Sequence, residues 1–168
     1  SLSRRRPRSR TEARLRRVAS VLAASLAIAG VSTLGDLIWA TSIPSHELVY
    51  GLAHGALLFV AIGLVLGVFA GRPRAGAAAG GAIGLAAAGA FYLLAPLAGF
   101  STMFVVWAAV WMALAFLYAR LSDRHPSGAV FTRGAIAAAA SGLAFYLISG
   151  IWRPFGPEGW DYAVHFAA

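Results

Sequence analysis

The side chains able to do chemistry in this sequence are few. Outside the arginine-rich stretches they are Asp36, His46, Glu47, His54, Glu158, Asp161 and His165. His54 alone among the histidines lies inside an apolar run. A turn near Ser45 brings Asp36, before it, and His54, equally far after it, to one depth on two antiparallel helices. An ionisable group in hydrocarbon is costly and finds a polar partner, so a carboxylate accepting a hydrogen bond from an imidazole is the expected arrangement. Such a pair either fixes helix packing or handles protons and ligands. The structural role is the expected one, because a relay needs further polar groups along its path and the later apolar segments supply hardly any.

Two ligand chemistries are open to the same residues. His46, Glu47, His54, Asp161 and His165 are of the types that hold zinc, although no HExxH-like spacing links them. His54 has Ala53 and Gly55 as neighbours and Gly51 close by, which leaves room for a flat macrocycle. Histidine is a normal axial ligand, so a single-histidine tetrapyrrole is the second chemistry. A six-coordinate haem needs another histidine at matching depth, and the sequence offers none. GxSxG, the P-loop and a dinucleotide fingerprint between strand and helix do not occur. The absence of cysteine excludes disulfides, thiolate metal sites and cysteine nucleophiles.

The elements that must position these residues are apolar helices. The chain of 168 residues is 60% hydrophobic and 12% charged, against about 25% charged in soluble domains. A soluble surface cannot be covered with so few charges, and a bilayer removes that demand. Residues 48–71 hold no charged side chain and are long enough, at about 1.5 Å per residue, to cross a core of about 30 Å. Gly51, Gly55, Gly63, Gly67 and Gly71 recur there at multiples of four, interrupted only by Phe59. Gly76, Gly80, Gly84 and Ala88 form a like row in the next segment, as do Ala19, Ala23, Ala27 and Gly35 in the first. Small residues at this spacing let helix backbones approach closely in lipid.

The expected architecture is all-α: an integral membrane bundle of five transmembrane helices over 18–40, 48–71, 75–97, 101–121 and 134–151. A basic arm over 1–17 precedes this 18–151 domain, and an aromatic interfacial tail over 152–168 follows it. The fourth helix is aromatic and has no glycine row, so it is expected at the lipid-facing edge or against a partner. Trp39, Trp107, Trp111, Trp152 and Trp160 are the expected interfacial or interface aromatics.

Charge placement sets the topology. All arginines but Arg153 fall in the arm, the 71–75 link or the 120–133 loop. The positive-inside rule then puts the N-terminus in the cytoplasm of a bacterial-type cell and the C-terminus outside its inner membrane. The net charge of +8 is read as topology and as attraction to anionic head groups, with no nucleic acid expected, because no aromatic residue is interleaved in the arm to stack on bases. A cleaved signal peptide is not expected. The apolar run after the arm is too long and lacks a small-x-small site, and Ser1 fits a start left by removal of an initiator Met.

The expected function is a small non-catalytic subunit, partnered by lipid and by other membrane proteins, that stabilises a larger complex such as an energy-transducing one. One alternative is a membrane enzyme, or a metal- or tetrapyrrole-binding protein, with its site at the outer face around Asp36 and His54. Another is a proton-coupled small-solute carrier using Asp36.

Overall fold

Apolar runs punctuated by Pro and Gly fold into a chain of antiparallel helices. The computed structural model describes residues 10–42 and 47–149, with the side chains at 36, 39–42, 47, 100, 145, 146, 148 and 149 outside that description. The helices are α1 (Arg10–Ser42), α2 (Glu47–Phe69), α3 (Pro73–Ala98), α4 (Thr102–Leu121) and α5 (Gly128–Ser149), with a single 3-10 turn at Gly99–Ser101 between α3 and α4. Among the described residues there is no strand. α1 starts well before the expected residue 18, because Arg, Glu, Ala and Leu in 10–17 are strong helix formers. α5 also starts early, at Gly128, since Pro126 disfavours helix at His125 and confines the loop.

α1 through Gly35, α2, α3 and α4 are long and apolar enough to cross a membrane, while the apolar part of α5 among the described residues is shorter. The distribution of side chains is that of a protein in lipid. Leu97 is 84% exposed and Leu93 76%, while the buried positions of α3 are the glycines 76, 80, 81 and 84. In lipid, large apolar groups gain nothing by turning inward, and helix association depends on close backbone packing.

α2 and α3 form the centre of the bundle. Gly67 faces Gly76, Gly63 faces Gly80, Phe59 faces Gly84, Gly55 faces Ala88 and Gly51 faces Tyr92. Every pair is centred on the peptide bond between residues 71 and 72, so one hairpin register holds along the whole contact. A Cβ on Gly63 would stand 2.8 Å from the Cα of Gly80, and one on Gly76 would stand 2.7 Å from the Cα of Gly67. The two backbones touch. Phe59, the one interruption in the glycine row of α2, is received by Gly84, whose added Cβ would lie 2.7 Å from the Phe59 Cβ.

α4 packs between α3 and α5 rather than at the edge expected for it. Leu114 is only 2% exposed and Val110 5%, and with Phe59 they make the small apolar core. Where no glycine row brings backbones together, the wider gap is filled by large side chains, so the aromatic composition of α4 reflects filling as much as lipid contact. Trp107 and Trp111 are half-buried and meet edge to face at 6.2 Å. The Trp107 indole N–H donates to the Ser141 hydroxyl at 3.1 Å, which in turn donates to the Ala137 carbonyl at 2.7 Å. Ser141→Ala orphans that N–H. The expected loss is about 0.6 kcal/mol and no more than about 1.7, the range of single hydrogen bonds between membrane helices, measured by reversible denaturation in mixed micelles.

The arginine-bearing loops meet at one end. α2 closes with the amide N–H of Arg72 donating to the Gly67 carbonyl at 2.7 Å and that of Gly71 to Val68 at 3.1 Å, with Gly71 at φ +75°. This paired pattern is a Schellman cap. α4 closes in the same way through Arg124 to Ala119 at 2.8 Å and Asp123 to Arg120 at 3.2 Å, but with Asp123 at φ +53° in the place glycine favours. The Asp123 carboxylate accepts from the Arg72 guanidinium at 2.8 Å, joining the two caps. Both groups are well exposed, so the ion pair is worth at most about 1 kcal/mol, while left-handed backbone costs a non-glycine residue about 1–2 kcal/mol. Asp123→Gly is therefore expected to raise stability by up to about 1 kcal/mol, read as a higher unfolding midpoint.

Candidate functional site

Besides the Trp107–Ser141 bond between α4 and α5, polar groups among the described residues collect where α1 meets α2 and where α2 meets α3. Tyr50 and His54 stand one turn apart on α2, with rings stacked at 6.2 Å and 18° between their planes. Both turn toward α1. The Tyr50 hydroxyl donates to the Gly35 carbonyl. The His54 imidazole sits over Gly35, where an added Cβ would overlap its Nδ1 and Cε1. Gly35 is thus a notch that admits an imidazole between two helices. Asp36 follows Gly35 in α1, and its carboxylate lies outside the described residues.

On its other side α2 meets Tyr92 of α3, whose ring and hydroxyl cover Gly51. Ser32, His54, Tyr92 and Trp107 are the polar side chains around a cleft of about 360 Å³ between the helices, otherwise walled by apolar groups such as Phe59 and Phe91. That volume is at the small end for ligand sites, and an apolar pocket with a few convergent polar groups is what such sites look like. The cleft is a small, largely apolar space with an imidazole and a phenol at its walls.

Of the predicted site residues, the structure brings the packing glycines 55, 63, 67, 76, 80 and 84 together in the α2–α3 seam. Gly51 and His54 flank the cleft. Trp107 and Trp111 lie between helices. Trp39 and Glu47 are in α1 and α2, but their side chains lie outside the described residues, as do His46, Trp152, Trp160, Asp161 and His165 altogether. Among the described residues no three His, Asp or Glu side chains gather as a metal site would require.

Sequence reasoning overlooked Tyr50, Tyr92 and Ser141. Tyr50 could have been found as the residue one turn before His54 on the same helix face. Tyr92 could have been found by counting equal distances from the 71–72 turn, the same arithmetic that pairs residues across the first hairpin. Ser141 carries no such signal, since its partner belongs to a helix joined by an irregular loop. Comparison with family models, curated proteins and solved structures finds no match to this chain.

Proposed function

We propose that the chain is a small, non-catalytic membrane subunit that docks through α1 on a larger membrane protein and stabilises the assembly. The observation that carries this reading is the state of α1. Among the described residues, none from Arg10 to Gly35 is buried, and α1 meets only α2, near its far end. Ala19, Ala23 and Ala27 form a small-residue face like those of α2 and α3, yet all three are exposed. A helix facing only lipid has no use for small residues on one side, whereas a helix facing another helix does. α1 has 33 residues, about 50 Å of helix against a core of about 30 Å, so its basic first turns project beyond the hydrocarbon.

In this reading all five helices cross a bacterial-type inner membrane, with the N-terminus cytoplasmic and the basic end of the bundle inside. A fifth crossing uses α5 after Arg133, where the 16 residues 134–149 rise about 24 Å, and it fits a core of about 30 Å only with local thinning of the bilayer. Purification of the native protein in mild detergent tests the proposal. Elution with stoichiometric membrane partners is expected, and elution as a lone monomer would count decisively against it.

One observation favours a second reading, a ligand- or tetrapyrrole-binding protein: His54, Tyr92 and Ser32 converge on one cleft. An absorption spectrum of the purified protein separates the two. A Soret-type band lost in His54→Ala supports the second reading, and a spectrum of protein aromatics alone removes the pigment.

A further inference from the structure

A furrow on the opposite side of the bundle ends in an arginine. It has a volume of about 470 Å³ and lies between α3, α4 and the first turn of α5. Ala79 and Ala82 of α3 and Ala113 of α4 open it, and Phe116 and Phe131 wall it. Among the described residues that line it, Arg120 is the single charged one. The guanidinium lies over the Phe116 ring, 5.0 Å from its centre, which holds it at the mouth. The ion pair at this end of the bundle joins Arg72 to Asp123, so Arg120 is not neutralised by it. Arg124, one turn of chain further on, is also exposed.

The dimensions are those of one leaflet. Met112, at the deep end, and Arg120, at the mouth, stand about 12 Å apart along the helix axis at about 1.5 Å per residue. Half of a bilayer core is about 15 Å. The deep end is apolar and the mouth is cationic, which is complementary to a molecule with an acyl chain and an anionic head. Basic pockets between helices at the cytoplasmic face are a recognised form of lipid site.

We propose that this furrow binds one acyl chain of an anionic phospholipid, with Arg120 pairing with the net negative charge of its head group, a charge that the ammonium of phosphatidylcholine cancels. The inference rests on the membrane reading above but not on the docking of α1, and its test uses the isolated protein so that the two can fail separately. The full chain, purified in mild detergent, is titrated with dioleoyl phosphatidylglycerol and dioleoyl phosphatidylcholine and read by native mass spectrometry. One phosphatidylglycerol per chain is expected, bound about tenfold more tightly than phosphatidylcholine. Arg120→Gln is expected to remove that preference. Ala82→Phe, which fills the furrow and leaves the arginine, is expected to abolish retention of both lipids. Arg74→Gln is the control and keeps wild-type binding. Equal retention of the two lipids by the wild-type protein would overturn the proposal whether or not the variants fold. So would unchanged phosphatidylglycerol retention in a folded Arg120→Gln variant. Displacement of the lipid by millimolar inorganic phosphate would assign Arg120 to a free anion and overturn it as well.

Discussion

Gly80→Leu is expected to separate α2 from α3 and to cost at least about 3 kcal/mol, the upper end for overpacked sites. The reason is that nothing at this position can yield. An added Cβ would overlap the Phe59 carbonyl and stand 2.8 Å from the Cα of Gly63, and both obstacles are backbone. Relief requires the helices to part, which breaks the close contacts all along the seam. Gly63→Leu faces the Gly76 carbonyl in the same way and is expected to match it. Gly35→Ala is expected to cost less, since the obstacle there is the His54 ring, a side chain that can rotate. Gly89→Leu is the control, because no atom lies within 4 Å of a Cβ built there. Unfolding midpoints in mixed micelles should rank the four accordingly. Equal midpoints for Gly80→Leu and Gly89→Leu would show that the seam is not what holds the bundle together.

The second large effect concerns assembly rather than folding. Ala23→Trp places a bulky ring on the small-residue face of α1, at a position exposed in the isolated chain. The unfolding midpoint of the isolated protein is expected to stay at the wild-type value. Binding to the proposed partner is expected to weaken by about 5- to 150-fold, since helix contacts between small residues do not admit a ring and overpacking costs about 1–3 kcal/mol. Co-purification yield at matched expression measures it. A fall in both midpoint and yield would mean that α1 packs against the rest of this chain.

The contrast between α1 and α3 explains how far the sequence could be read. Both carry small residues at four-residue spacing, the row in α1 being interrupted at Val31. In α3 the row lies in the seam with α2, and in α1 it lies open among the described residues except at Gly35. Spacing states that a face permits close approach, but which helix approaches depends on loop length and on the competing rows. The α2–α3 pairing was legible because the link is short and the two rows are in step about the 71–72 bond. Helical class and apolar surface were legible from composition alone. The central place of α4 was not, because large aromatic residues fill gaps between helices and also face lipid. Asp123 in left-handed backbone was hidden for another reason: glycine marks such a cap, and here an aspartate occupies it. For the cleft, His54 stood out as a lone polar group in an apolar run, while Tyr50 and Tyr92 carry no charge and were not singled out.

The account turns on α1 facing another protein, and the absence of cysteine makes a direct measurement clean. Single cysteines at successive positions from 18 to 30 can be labelled in native membranes with a short maleimide–diazirine reagent, whose photolysis inserts it into whatever protein lies within reach. The account predicts adducts to a protein partner that peak at Ala19, Ala23 and Ala27 and vanish at Val21 and Ser25, with the period of a helix. Adducts spread evenly around α1, or none at any position, would contradict it.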